Sequence, residues 1–341
     1  MMSDFKVVAK GRLGMLDWTP FVEIIRRHGR FLLTTHIRPD GDGLGSMLAL
    51  GDVLLRRSNQ VRLVIASNLP ARYRFLDPDG AIERFTLGIP EVNSAEVLIV
   101  LDTGTWNQLG DFGAFLRSSA AAKIVIDHHQ TQDDLGALRF IDTTAEATGR
   151  LVFEAVQALG ESLSEKAANE LFVALAMDTG WFRHSNTTPR TLELAAELVR
   201  AGAHPDSLYD KLFEENSLAR LKLMGLVLDR LQMANGGRVA YSEIRCTDYV
   251  TTGAMPQDTE DMVNITRSIA GVEVGLFFME QPRGGVKVSF RSRARVDVAR
   301  IAECFGGGGH RLASGAVVDA SLEEARRRVL DVVGTAVEAA R

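Results

Sequence analysis

Four short segments place acidic or histidine residues directly after an apolar run: His36, Asp40 and Asp42 in TTHIRPDGDGLGS, Asp102 in VLIVLDTG, Asp127, His128 and His129 in KIVIDHHQ, and Asp178 in LFVALAMDTG. Carboxylates and imidazoles without cysteine suit Mn2+, Fe2+, Co2+ or Zn2+ better than an all-oxygen Mg2+ or Ca2+ site. So many candidate ligands fit two ions better than one. A pair of ions roughly 3.5–4 Å apart is the device by which hydrolases hold a phosphoryl group, activate a water and neutralise the leaving oxygen. Phosphoester hydrolysis is the expected chemistry.

Each segment also has a plainer reading. Asp-Gly-Asp-Gly alone is ordinarily a surface turn. A calcium loop fails here, because Leu44 and Gly51 stand where an EF-hand needs ligands. A phosphate-binding P-loop fails as well, since no Gly-Lys-Ser/Thr follows. Asp40 and Asp42, two residues apart, can each reach a different ion. Asp102 ends an apolar strand, where a bare carboxylate is poorly solvated unless paired. It is either a helix N-cap or, as the better explanation, a carboxylate bridging two cations. His128 and His129 cannot point the same way in an extended chain, so one is expected to ligate and the other to face substrate. Asp127 then supports them from behind as an acceptor or loop cap. Asp178 alone would pass for a cap or turn. His28 and His204 read as loop residues, and His184 is given no role.

Elements that could position these residues are legible around them. FLLTT (31–35), VRLVIAS (61–67), EVLIVLD (96–102) and KIVID (123–127) read as strands, with a helix over 44–57 between the first two. Alternation of this kind predicts an open parallel sheet whose strand ends gather along one edge. From Ala145 the pattern turns helical, and Ser164 is expected to cap a helix running into Asp178. Further helices are expected near 190–202, 205–213 and 217–231. After Asn235-Gly236-Gly237 come GRVAYSEI, GVEVGLFFME and GGVKVSFRSRARV, with helices near 259–270 and 297–304. The fold class is α/β, with a parallel-sheet domain over 1–195, a helical connector over 196–232 and a smaller α/β domain over 233–341.

Bulk composition narrows the partners. With 341 residues, 46% apolar and 24% charged, the chain is an ordinary globular protein of two domains. A net charge of −5 argues against a chain-wide polyanion surface and stable duplex DNA binding. Cys246 and Cys304 have no paired spacing, which speaks against a disulfide framework or a cysteine zinc site. The segment MMSDFKVVAKGRLGMLDWTP has no continuous apolar core, and no run approaches the ~20 residues of a membrane span. A cytoplasmic protein without a membrane partner is expected.

The required local basic patch lies over residues 283–300, with six basic residues against Asp297. Lys287, Ser289, Arg291, Arg293 and Arg295 alternate with Val286, Val288 and Phe290, as in a strand with one apolar and one basic face. The alternative is a solvated edge strand guarded by charge. The glycine run 306–309 is either a hinge or a nest of free N–H groups, with His310 as a further donor to an anion. Substrate capture by Lys287, Arg291, Arg293, Gly307, Gly308, His310 and Ser314 is expected.

In order and spacing the four segments resemble the motifs of the DHH phosphoesterase superfamily, whose triplet stands here as Asp127-His128-His129. FGGGGHRLASGA (305–316) resembles the glycine-rich signature of the DHHA1 domain, and KVSFRSR resembles its substrate-binding strand. The resemblance implies that His36, Asp40 and Asp102 hold one ion and that Asp42, Asp102, His128 and Asp178 hold the other. Most suitable is Mn2+, with Co2+ or Mg2+ as substitutes. It implies that His129 touches the scissile phosphate, with Asp102 and Asp127 completing the catalytic group, in a cleft between domains.

Within the superfamily the chain is similar to the nanoRNase and pAp-phosphatase branch. Short RNA oligonucleotides and nucleotide bisphosphates are the implied substrates, and a homodimer is compatible. Cyclic-dinucleotide or pGpG phosphodiesterases and pyrophosphatase- or exopolyphosphatase-like hydrolases are the enzymatic alternatives. RecJ exonucleases carry nucleic-acid-binding modules for which this length leaves no room. A nucleotide-binding regulatory protein is the non-enzymatic alternative, and loss of a metal ligand would mark it.

Overall fold

A computed structural model describes residues 16–86 and 94–340. Most of the amino-terminal segment judged to lack an apolar leader core falls outside the described residues. The chain divides into two compact units, Met1–Glu215 and Asn216–Arg341.

The first unit runs α1 (Thr19–Arg27), β1 (Arg30–Thr34), α2 (Gly41–Arg56), β2 (Gln60–Ile65), β3 (Ile82–Arg84), β4 (Val97–Leu101), α3 (Phe112–Ser118), β5 (Ala122–Asp127) and β6 (Leu138–Ile141). Helices α4 (Thr148–Leu159), α5 (Glu165–Asp178), α6 (Pro189–Arg200) and α7 (Pro205–Tyr209) follow. Its six strands lie in the order β3-β2-β1-β4-β5-β6, and every neighbouring pair is parallel. Such a sheet buries both faces, which is why its strands read as unbroken apolar runs. Phe31, Leu33, Val97, Ile99 and Leu101 join one core with residues of α2, α4 and α5. Leu32, Leu98 and Val100 join another with Phe112 and Leu116 of α3.

The strand order reverses between β1 and β4, the switch point where open α/β sheets receive ligands beyond their strand ends. Helix α2 crosses beneath that point, buried over nearly its whole length. Gly45 lets it approach α5, since a Cβ there would meet the Glu170 carbonyl oxygen at 2.2 Å.

The second unit runs α8 (Leu218–Asp229), β7 (Gln232–Ala234), β8 (Val239–Ile244), α9 (Cys246–Thr252), α10 (Val263–Arg267), β9 (Val274–Glu280), β10 (Val286–Ser292), α11 (Val298–Glu303), β11 (Gly308–His310), β12 (Ala313–Val318) and α12 (Leu322–Ala339). Its sheet, in the order β11-β12-β10-β9-β8-β7, is mixed: β8 and β9 are parallel, whereas β10 is antiparallel to both β9 and β12. One face packs on α11 and α12 through Val286, Val288 and Phe290. The other packs on α8 and α10 through Ile244, Phe277 and Met279.

The α/β class, the parallel sheet of the first unit and the α/β make-up of the second agree with the expectation. Three local differences have physical causes. Strands β3 and β6, unforeseen, are short edge strands with little apolar alternation. Helix α2 begins at Gly41 rather than near Leu44, because Asp40 caps it by accepting from the amides of Asp42 and Gly43. The helix expected over 259–270 contracts to α10 after a 3-10 turn at Pro256–Thr259. Among the described residues, no helix is long and apolar enough to cross a membrane.

Candidate metal centre

All four motifs of the first unit meet at the switch point. His36 lies just beyond β1, Asp40 and Asp42 open α2, Asp102 follows β4, His128 and His129 follow β5, and Asp178 ends α5. Asp102 adopts a φ of 62°, a left-handed conformation rare for a residue with a Cβ. Strain of this kind persists where the surroundings over-determine it, as at functional sites.

Among the described residues, His36, Asp40 and Asp102 form one group that could hold an ion and Asp42, His128 and Asp178 another, while Asp102 also lies within reach of His128 and His129. His36 Nε2 lies 3.5 Å from Asp102 Oδ2 and 3.6 Å from Asp40 Oδ1. His128 Nε2 lies 3.2 Å from Asp178 Oδ2, 3.6 Å from Asp102 Oδ1 and 3.8 Å from Asp42 Oδ2. Most of these separations exceed a hydrogen bond, so the donors face one another without pairing. His36 Nδ1 bonds to the Ile37 carbonyl at 3.0 Å and His128 Nδ1 to the Ala145 carbonyl at 3.0 Å. Both bonds turn Nε2 toward the carboxylates, the tautomer a metal-ligating histidine requires.

The electrostatics match this geometry. Burial and the neighbouring carboxylates push Asp42, Asp102 and Asp178 above the usual carboxylate range. Burial opposes charging of His36, yet Asp102 and Asp40 outweigh it and raise the ring to about 11. The crowded site thus seeks positive charge, and a divalent cation would supply it in place of protons. His36 Nε2 is buried without a hydrogen-bond partner. Gly43 keeps room beside it, for a Cβ there would meet Thr35 Oγ1 at 2.3 Å, His36 Nε2 at 3.2 Å and Asp102 Oδ2 at 3.3 Å. The donor set fits a metal centre.

Asp127 stands behind the two histidines. Its Oδ1 accepts from the amides of His128 and His129 and from His129 Nδ1 at 2.8 Å, while Gln132 binds its other oxygen. Although burial acts against ionisation, His129 holds Asp127 low, and the Asp127 hydrogen bond raises His129. The His129 ring, 48% exposed, is the histidine turned toward solvent.

Sequence reasoning missed the start of α4. The Thr148 hydroxyl donates to Asp102 Oδ1 at 2.9 Å, and the amides of Thr148 and Gly149 donate to Asp42 at 2.6 and 2.9 Å. Neither residue type advertises metal chemistry. The available signal was the Thr-Gly pair opening a helix after the fourth apolar strand.

In the second unit, Lys287, Ser289 and Arg291 lie on the face of β10 opposite Val286, Val288 and Phe290, as expected. Lys287 is exposed, and burial lowers the half-buried Arg291 guanidinium from its ordinary value. The alternation does not continue to Arg293 and Arg295, because β10 ends at Ser292. Arg293 instead turns to cap α10, donating to the carbonyls of Arg267 and Ile269.

The glycine run also differs from a nest of free donors. Gly306 and Gly307 donate their amides to Glu303 and Ala302 at the end of α11. Gly308 and His310 then form β11 against β12. Glycine is required there because a Cβ at Gly307 would meet the Gly315 carbonyl oxygen at 2.2 Å, and one at Gly309 the Ala313 oxygen at 2.7 Å. Ser314 is buried and its hydroxyl donates to the Val298 carbonyl at 2.6 Å, leaving only acceptor capacity. His310 is exposed at the sheet edge.

Comparison with known proteins agrees with both units. The DHH family N-terminal domain matches residues 30–177 and the DHHA1 domain residues 236–339. The chain is 32% identical to the bifunctional oligoribonuclease and PAP phosphatase NrnA of Thermus thermophilus, over 89% of each chain. It is 27% identical to the protein of the same name from Bacillus subtilis, over 92% of this chain and 97% of the relative. The crystal structure of an exopolyphosphatase-related protein from Bacteroides fragilis superposes with a TM-score of 0.87 at 25% identity, covering 94% of this chain and 95% of that one. With its four acidic and histidine motifs at the sheet switch point and both domain families matched in order, the chain belongs to the DHH family of phosphoesterases, in its DHH–DHHA1 form.

Proposed function

We propose that the protein is a two-metal phosphoesterase that hydrolyses short oligoribonucleotides to mononucleotides and adenosine 3′,5′-bisphosphate to AMP. The observation that carries this reading is the placement of Asp102, with one oxygen toward His36 and the other toward His128. His36, Asp40 and Asp102 would hold one ion, and Asp42, Asp102, His128 and Asp178 the other. Imidazole donors favour Mn2+, with Co2+ or Mg2+ as substitutes. When bound, such a pair supplies charge neutralisation at the phosphoryl oxygens and a water of lowered pKa.

The chain's own residues do the remainder. Asp127 holds the exposed His129 ring by its Nδ1, so that Nε2 can donate to the scissile phosphate and stabilise charge developing there. In the second unit, Lys287, Arg291 and His310 would bind the anionic end of the substrate. The named activities of the relatives at 32% and 27% identity support this substrate class. The same reading makes the protein cytoplasmic.

The test is one assay of purified protein with Mn2+ against pGpG, a pentaribonucleotide, adenosine 3′,5′-bisphosphate, cyclic di-AMP and pyrophosphate. Release of mononucleotides from the RNAs and AMP from the bisphosphate is expected. Turnover of pyrophosphate or cyclic di-AMP alone would move the assignment to those hydrolase classes.

A further inference from the structure

Helix α4 begins unusually. Its N-cap is Ala147, which has no side chain to satisfy the first amides, and the cap comes from another helix: Asp42 of α2 accepts from Thr148 and Gly149. The start of α4 is thereby fixed against one metal-ligand candidate. At the same place the Thr148 hydroxyl reaches a second, Asp102 Oδ1, at 2.9 Å. Two residues upstream of the cap, the Ala145 carbonyl orients His128 through its Nδ1. One five-residue stretch, 145–149, therefore touches three candidate ligands drawn from three other motifs.

That stretch is itself held rigidly. Arg150, largely buried on the first turn of α4, lies 3.1 Å from Glu146 and 3.2 Å from Asp142. Asp142 in turn accepts from the Thr144 amide and hydroxyl. Thr148 is fully buried, so its hydroxyl is shielded from bulk solvent. It bonds the Asp102 oxygen that faces the His128 group, while Oδ2 faces His36. A carboxylate on a left-handed backbone, with one oxygen tethered, is fixed in rotation about its χ angles.

We propose that Thr148 is a positioning residue that sets Asp102 as the bridge between the two ligand groups and fixes the affinity of the His128-side group for its ion. The inference rests on the two-metal reading above. Removing a hydrogen-bond partner of a ligating side chain costs roughly 10–100-fold in metal affinity. The loss should fall on the group containing Asp42, Asp102, His128 and Asp178. The His36 group uses the other oxygen and should change less.

The experiment is a Mn2+ titration of metal-stripped protein followed by electron paramagnetic resonance, which counts bound ions and detects spin coupling between a close pair. Thr148→Val keeps the β-branch and the backbone amide but removes the hydroxyl. Expected are one class of sites weakened by roughly 10–100-fold, loss of the coupled-pair signal at Mn2+ levels that saturate the wild type, and return of both in Thr148→Ser. Circular dichroism controls for folding, and Thr148→Ala provides a second hydroxyl-free variant. Wild-type affinity in both classes for the valine and alanine variants would overturn the proposal. So would a serine variant as weak as valine, which would make the role one of packing. A wild type that binds a single Mn2+ would instead overturn the two-metal reading itself, and the titration separates these results without any substrate.

Discussion

At the scale of single residues, the site is a cluster of carboxylates that only positive charge makes tolerable. Asp102 is the extreme case: 2% exposed, with one oxygen toward His36 and the other toward His128, and raised well above the usual carboxylate range by burial and by Asp42. Asp102→Asn is expected to lower phosphoesterase activity by more than about 100-fold, since even an indirect partner of a ligand is worth 10–100-fold in metal affinity. The metal-free variant should be as stable as the wild type or more so, because one of the repelling charges is gone. Near-normal Mn2+-dependent turnover would contradict the shared-ligand assignment. The ligand types were legible in the sequence because each follows an apolar run that must be a buried strand or helix. Thr148 and Gly43 were not, because a hydroxyl donor and an absent Cβ gain meaning only from what lies opposite them in space.

At the scale of elements, the α2–α5 contact buries an unsatisfied acid. Glu170 is 2% exposed and neither carboxylate oxygen has a hydrogen-bond partner. Burial raises it well above its ordinary value of 4.5, with Asp52 and Asp77 adding to the shift and Lys166 opposing it. The folded state then holds this proton more tightly than the unfolded state, so stability falls as pH rises from about 4.5 toward the folded value. Glu170→Met should remove an unsatisfied buried acid worth of order 1–3 kcal/mol, at roughly 2–4 °C of melting midpoint per kcal/mol for a unit of this size. It should also flatten the decline of the midpoint with pH. Thermal melts of the Mn2+-loaded proteins across pH 5–8 check this, and an unchanged pH dependence would refute it. Helix α5 and its Ser164 cap were readable from spacing, as were β1, β2, β4 and β5. The reach of β10 was not, since Arg293 continues the sequence alternation while its side chain leaves to cap α10.

At the scale of the whole molecule, charge limits the substrate. The net charge is −5, and the basic face of the second unit offers Lys287 and Arg291 with His310 near the sheet edge. Arg291→Ala should raise KM for nucleotides by roughly 10–100-fold, as expected for a charged hydrogen bond worth about 1.5–3 kcal/mol. Mn2+ occupancy should stay unchanged, because the candidate metal ligands all lie in the first unit. A protein that follows many phosphates needs a long cationic groove, and its affinity falls steeply with salt in proportion to the contacts made. Two or three phosphate contacts on a single strand predict a slope of log affinity against log salt between about −1.4 and −2.1. RNAs of two to five nucleotides should therefore be degraded faster than a 24-nucleotide RNA, with mononucleotides released from the start. Competition assays with end-labelled RNAs at several salt concentrations measure both quantities. Processive digestion of long single strands with a steep salt slope would require a phosphate-tracking surface that this charge distribution does not supply.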